Sequence, residues 1–112
     1  MKTWTLRFRA VDKNNFIEIK NGLKSVETRA ATPKYRAIQK GDVLLIVCGE
    51  ARTRKRVRRV RVFRSIGAMT KAIPYKKIMP SVGSMAEMRK VYYGYPGYKE
   101  KLKKHGVIAF EL

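Results

Sequence analysis

The chain has 112 residues, of which 27 are lysine or arginine and eight are aspartate or glutamate, so its net charge is +19. That length predicts a single domain, residues 1–112, and the longest apolar run, at 43–48, is too short to span a bilayer, which excludes a membrane-spanning protein. Cys48 is the only cysteine, which excludes an internal disulfide, so we expect a cytoplasmic protein whose excess charge is neutralised by a polyanion.

A strand and then a helix are predicted at the start of the chain. The strand carries apolar side chains at alternate positions, Trp4, Leu6 and Phe8. The helix carries apolar side chains at helical spacing, Phe16, Ile19 and Leu23. We expect Asp12 to cap the helix and Asn21-Gly22 to end it.

The helix leads directly into a run of mixed charge, Gly-x-Lys-x-x-Glu-x-Arg, at 22–29. If 25–29 is extended, Glu27 and Arg29 lie on one face and pair, while Lys24 reaches the same place from the preceding turn. Two cations around one carboxylate favour an anionic ligand. The alternative is a structural ion-pair network, since such networks also perturb ionisation.

The next predicted elements are Val43–Cys48, a strand buried on both sides, and a basic segment after it. Between Arg52 and Arg64 there are eight Lys or Arg and no acid. We expect one long bent strand here, with a hairpin turn near 49–53 and a bulge near Arg58-Arg59. Five arginines of this segment are candidates for phosphate contacts: Arg54, Arg56, Arg58, Arg59 and Arg61. The alternative is a solvated charged face.

The C-terminal third is predicted to be helical and to end in a strand. Ser84 and Glu87 have the spacing of a capping box at the start of a helix over 84–93. A short basic helix is expected over 99–104, and the closing strand has apolar residues at alternate positions, Ile108, Phe110 and Leu112. Of four clustered tyrosines, we expect about half to fill the core and the others to stack on unpaired bases. These tyrosines are Tyr92, Tyr93, Tyr95 and Tyr98, and the last two are candidate binding residues.

The 22–29 motif, with Lys40-Gly41-Asp42 opening an apolar strand and Tyr95-Pro96-Gly97 before the closing strand, resembles the ASCH domain, a relative of the PUA RNA-binding fold. The resemblance covers nearly the whole chain. It implies an α+β fold, a PUA-like small mixed β-barrel of about five to six strands with about two to four flanking helices. It also implies a cleft over the motif that is used on RNA or nucleotide-like ligands.

Two functions follow as hypotheses. In the first, the chain is an RNA-binding module: the basic segment grips the phosphate backbone, and Lys24, Glu27 and Arg29 accept a nucleotide or an unstacked base. In the second, it is a hydrolase acting on RNA or a modified nucleoside, with Lys24, Glu27 and Arg29 as candidate catalytic residues. The resemblance implies that the partner of the protein is single-stranded or structured RNA. The sequence leaves the oligomeric state open.

Some proteins similar to this family remove the acyl group from acetylated cytidine, and this chain departs from the pattern of that enzymatic branch. For that branch the resemblance implies a catalytic lysine at the position of Lys24, a threonine where this chain has Glu27, and a carboxylate from the later helical region. Here Thr28 is displaced by one residue, and 65–86 contains no acid. His105 has no partner at metal-ligand spacing and no P-loop is present, so we expect no metal and no cofactor.

Overall fold

The computed structural model describes residues 1–112 and has an α+β fold, as expected. The strands are β1 (Thr3–Phe8), β2 (Val26–Ala30), β3 (Val43–Cys48), β4 (Ala51–Arg56), β5 (Arg59–Phe63) and β6 (Val107–Glu111). The helices are α1 (Lys13–Lys20), α2 (Pro33–Arg36), α3 (Ile66–Ala72), α4 (Tyr75–Ile78), α5 (Met85–Gly94) and α6 (Tyr98–His105). They outnumber the two to four expected, because α2 and α4 are single four-residue turns.

The six strands form two three-stranded sheets. In the first sheet β3 lies between β1, to which it is parallel, and β4, to which it is antiparallel. In the second sheet β6 lies between β2 and β5 and is antiparallel to both. The two ladders are separate, so the closed barrel implied by the resemblance is not confirmed.

The basic segment divides between the two sheets, so the prediction of one long bent strand was wrong. The break falls at Val57-Arg58, next to the bulge that was predicted near Arg58-Arg59. Val57 is buried and its amide donates to the Asp42 carbonyl at 2.8 Å, whereas the amide of Arg58 donates to the Glu111 carbonyl at 2.7 Å. The chain thus leaves the first sheet and joins the second within two residues. The hairpin before β4 turns at Gly49-Glu50, with Cys48 opposite Ala51.

The apolar core consists of two clusters on opposite faces of the second sheet. Val107 and Ala109 of β6 contact one cluster, whereas Ile108 and Phe110 contact the other. The predicted alternation of apolar residues at 108, 110 and 112 accounts for only one face of β6, because residues 107 and 109 are buried on its other face. Leu112 follows the strand and is half-buried.

Two details of the helix ends differ from the expectations and one agrees. Leu23 lies beyond α1 and is 64% exposed, so it does not belong to the buried face of that helix. Asp12 does not cap α1, because its carboxylate binds Arg9 at 3.0 Å. Ser84 caps α5 as predicted, since its hydroxyl accepts from the Glu87 amide at 3.2 Å. The Glu87 carboxylate binds the amide of Gly83.

Long apolar helices are missing from the fold, and none of its helices could cross a bilayer.

Candidate functional site

A cleft of about 250 Å³ opens between the end of β1, the edge strand β2 and the turn that joins α5 to α6. Its charged lining residues are Arg7, Arg9, Asp12, Lys24, Glu27 and Arg29. Its aromatic lining residues are Phe8, Tyr92, Tyr95 and Tyr98. The 22–29 motif therefore contributes four residues, Thr28 included, to a cavity whose other walls come from distant parts of the chain.

The motif forms the ion pairs that the sequence predicts. Arg29 Nη2 lies 3.2 Å from Glu27 Oε2, and Lys24 Nζ lies 3.6 Å from Glu27 Oε1. Glu27 Oε1 also accepts a hydrogen bond from the Thr28 amide at 2.9 Å, on the open edge of β2. Both oxygens of this carboxylate are thus engaged. Lys24 also donates to the Ile78 carbonyl, which fixes the end of α4 against the motif.

Lys24 and Glu27 are almost fully buried, whereas Arg29 is half-buried. Burial lowers the pKa of Lys24, and the carboxylates of Glu27 and Glu18 oppose that shift. Its cationic neighbour Arg29 also lowers the Lys24 pKa, but by less than burial does. For Arg29, burial is the largest single effect and opposes the charged form, but Glu27, Tyr35 and Tyr98 together outweigh it and the pKa is raised.

Arg29 is also held by two aromatic rings. Its guanidinium carbon lies 5.1 Å from the centre of the Phe8 ring and 5.8 Å from that of Tyr35. Such cation–π contacts add to the Glu27 ion pair, so the guanidinium has a fixed orientation at the cleft wall. Arg9, which also lines the cleft, lies 5.5 Å from the centre of the Tyr95 ring.

The four clustered tyrosines have different environments. Tyr92 is fully buried and its hydroxyl is hydrogen-bonded to that of Thr28. Tyr95 and Tyr98 are half-buried at the cleft, with ring centres 5.3 Å apart in an edge-to-face arrangement. Burial raises the pKa of both phenols. Tyr93 is exposed and lies outside the cleft.

The five candidate arginines of the basic segment lie outside this cleft and are divided between β4, β5 and the junction of these strands. Arg54 and Arg56 are exposed on β4 of the first sheet. Arg59 and Arg61 belong to the second sheet and lie 3.7 and 3.2 Å from Glu111, respectively. Arg58, at the junction of the sheets, is exposed. The cations of the cleft itself come from β1 and the motif.

Sequence reasoning missed several lining residues of the cleft, namely Arg7, Arg9, Asp12 and Asn15. The pair of arginines at the end of the first predicted strand was the available signal. These two arginines matter only because β1 ends beside β2, and that proximity follows from tertiary packing, which the local sequence does not reveal. Thr28, one position from the threonine of the acetylcytidine branch, also lines the cleft.

Comparison with known proteins places the chain among small proteins of similar architecture. The family model described as "ASCH domain" matches residues 10–112. The hypothetical protein PH0355, seen in a crystal structure, is 30% identical, with a TM-score of 0.82 over 99% of this chain and 96% of its own. Protein PF0455 from Pyrococcus furiosus, seen by solution NMR, is 31% identical, with a TM-score of 0.74 over 97% and 94%.

No curated protein matches the sequence. The family model alone covers most of the chain, and both solved structures are similar to it over nearly their whole length. The chain belongs to the ASCH domain family.

Proposed function

We propose that this protein is an RNA-binding module whose cleft accepts a nucleotide or an unstacked base. The observation that carries the proposal is the composition of the cleft wall, which combines half-buried tyrosine rings with oriented cations. Four cations, Arg7, Arg9, Lys24 and Arg29, line it against two carboxylates. A cavity with this excess of positive charge and with half-buried aromatic rings favours a flat, anionic ligand.

Arg29 is the residue that we expect to contact the ligand first. Glu27 occupies only Nη2, so other N–H groups of the guanidinium remain for a phosphate or a base carbonyl oxygen. Because both Glu27 oxygens are engaged, its role is to orient Lys24 and Arg29 more than to read a base edge itself. Tyr95 and Tyr98 provide rings for stacking, which is worth about 1–3 kcal/mol per base.

RNA is preferred to duplex DNA because the ASCH domain is related to the PUA RNA-binding fold. Unpaired bases in RNA are commonly recognised by stacking on aromatic or guanidinium groups, and the cleft offers both. The exposed arginines Arg54, Arg56, Arg58 and Arg59 extend the contacts along the backbone as sequence-independent phosphate ligands. The whole chain, 1–112, acts as one binding unit in this proposal.

The test is a titration of single-stranded RNA at several salt concentrations, followed by fluorescence anisotropy. We expect the logarithm of the affinity to fall linearly with the logarithm of the salt concentration, with a slope of about −0.7 per phosphate contact. Arg29→Gln should weaken binding about tenfold, because a charge-assisted contact is lost. Arg89→Gln, the same change at an exposed position outside the cleft, is the control. Absence of binding at low salt, or a flat salt response, would overturn the proposal.

A hydrolase is the second candidate, and the burial of Lys24 beside Glu27 favours it. A lysine with a lowered pKa is suited to accept a proton, and the pair could deprotonate a 2′-hydroxyl while Arg29 stabilises the charged phosphorus centre. The same residues could act on an acetylated nucleoside, with Thr28 nearby. Lys24→Met separates the two functions in assays of RNA cleavage and acetylcytidine hydrolysis. Turnover lost with RNA affinity retained supports the enzyme, whereas a parent protein without turnover supports the module.

A further inference from the structure

A second groove, of about 270 Å³, lies between the junction of the two sheets and the connection from α3 to α4. Its charged side chains are Arg58, Arg61, Lys77 and Glu111. Three cationic side chains therefore face one acidic side chain. That balance favours an anion and disfavours a metal ion.

The arginine at the centre of the groove has an unused donor. Arg61 is 24% exposed, and its Nη2 lies 3.2 Å from Glu111 Oε2, without an aligned hydrogen bond to that oxygen. Its Nε is buried and has no hydrogen-bond partner. A buried donor without an acceptor is costly, and a bound oxyanion would supply one.

The backbone that carries the other two cations is fixed. The Arg58 amide donates to the Glu111 carbonyl at 2.7 Å, and the Lys77 carbonyl accepts from the Ser25 amide at 3.1 Å. Neither side chain takes part in a salt bridge. The Arg58 guanidinium and the Lys77 ammonium are therefore free to bind a ligand between these two anchored segments.

The groove and the cleft share one wall, which is the contact between α4 and the start of β2. Lys24, on the cleft side, binds the Ile78 carbonyl, while the next residue, Ser25, lines the groove and binds Lys77. Consecutive residues thus border the two cavities. An oligonucleotide that places one nucleotide in the cleft has a further phosphate available for the groove.

We propose that this groove is a second site, which binds a phosphate group through Arg58, Arg61 and Lys77, and that the phosphate belongs to a nucleic-acid backbone. The assignment of the phosphate to a nucleic acid rests on the proposed RNA binding, whereas the existence of the anion site does not depend on it. A free phosphate would make the same contacts, so the experiment distinguishes the two sources.

The experiment follows the Nε–H resonances of the arginines by NMR in the full chain. Addition of inorganic phosphate should shift the Arg61 signal in a saturable way, and Lys77→Gln should weaken this binding about tenfold. Lys90→Gln, an exposed lysine on α5 that borders neither cavity, should leave it unchanged. An unshifted Arg61 signal, or the same affinity in Lys77→Gln, would overturn the site.

The second arm adds single-stranded RNA of ten nucleotides to the phosphate-loaded protein. We expect RNA to compete with phosphate at Arg61. We also expect Lys77→Gln to reduce the salt slope of RNA binding by about 0.7, which corresponds to one lost phosphate contact. RNA that binds while the Arg61 signal keeps its phosphate-bound position would overturn the backbone source. A protein that binds phosphate at Arg61 but no RNA would overturn the proposed function and retain the anion site.

Discussion

At the scale of single residues, the polar groups inside this small protein are organised around a few carboxylates. Asp42, just before β3, accepts hydrogen bonds from Trp4 Nε1 at 2.8 Å and from the amides of Lys2 and Gln39 at 3.0 Å. These contacts tie the start of β1 to β3 through one side chain. Donation by Gln39, Lys2 and Trp4, in that order of effect, lowers the pKa of Asp42 from 3.8 to about 2.

The stability that ionised Asp42 contributes should depend on pH. Because its pKa is lower in the folded state, the contribution is complete above about pH 4 and is lost as the pH falls towards 2. Asp42→Asn should lower the free energy of unfolding at pH 7, and its difference from the parent protein should shrink between pH 4 and pH 2. Urea unfolding measures this. Glu50→Gln, in the exposed hairpin turn, is the control, and a constant difference across this range would contradict the prediction.

A second prediction concerns the buried hydroxyl pair of Thr28 and Tyr92 beneath the cleft. Tyr92→Phe leaves the Thr28 hydroxyl without its partner, at a cost of about 1–3 kcal/mol in the free energy of unfolding. Tyr93→Phe removes the same atom from a side chain that is 50% exposed, and should change stability by less than about 0.5 kcal/mol. Urea unfolding of both variants tests this, and equal effects would contradict it.

At the scale of elements, the passage from α6 to β6 depends on Gly106. Its φ of 78° and ψ of −166° are accessible essentially only to glycine. A Cβ atom there would also lie 2.4 Å from the Phe63 carbonyl oxygen of β5. The helix can therefore lead into the central strand of the second sheet only if this position has no side chain.

Gly106→Ala should be more destabilising than the same change at Gly97. Gly97 has a φ of 72° but open space around its Cα, so alanine costs only the backbone strain of about 1–2 kcal/mol. At Gly106, the clash with Phe63 adds about 1–3 kcal/mol. Thermal unfolding of the two variants gives the comparison, and similar melting temperatures would show that β5 yields to the new methyl group.

The elements that the sequence predicts correctly are those with a strong local signal. Alternation in β1, the apolar run of β3 and the Ser84 cap of α5 are all read within ten residues or fewer. The break at Val57-Arg58 is not local, since it depends on Asp42 and Glu111. The same holds for the site: the motif pairs Lys24, Glu27 and Arg29 from spacing alone, but the cleft walls come from β1 and the α5–α6 turn.

At the scale of the whole molecule, the charge of +19 is confined to a body of 30 × 26 × 24 Å. Only five salt bridges form, and eight acidic residues cannot neutralise 27 basic ones. At 0.01 M salt the Debye length, about 30 Å, matches the longest dimension of the molecule, so all cations repel one another. At 0.15 M it is about 8 Å, and only neighbours interact strongly.

The melting temperature should therefore rise as salt is added over this range, because screening relieves the repulsion. A double variant, Arg54→Gln with Arg56→Gln, carries less charge and should show a smaller rise. Both residues are exposed, so their replacement leaves the core intact. Circular dichroism during heating tests the prediction. A melting temperature that is independent of salt would mean that the repulsion does not weaken the fold.

The position of β6 between β2 and β5 has a consequence for how the protein is made. Translation is vectorial, and β6 is the last of the three strands to leave the ribosome. Until then the edges of β2 and β5 that pair with β6 are open, and the core cluster around α3 and α5 lacks Val107 and Ala109. The second sheet can form only after synthesis has passed residue 111, so we expect chaperones to bind the nascent chain before that point.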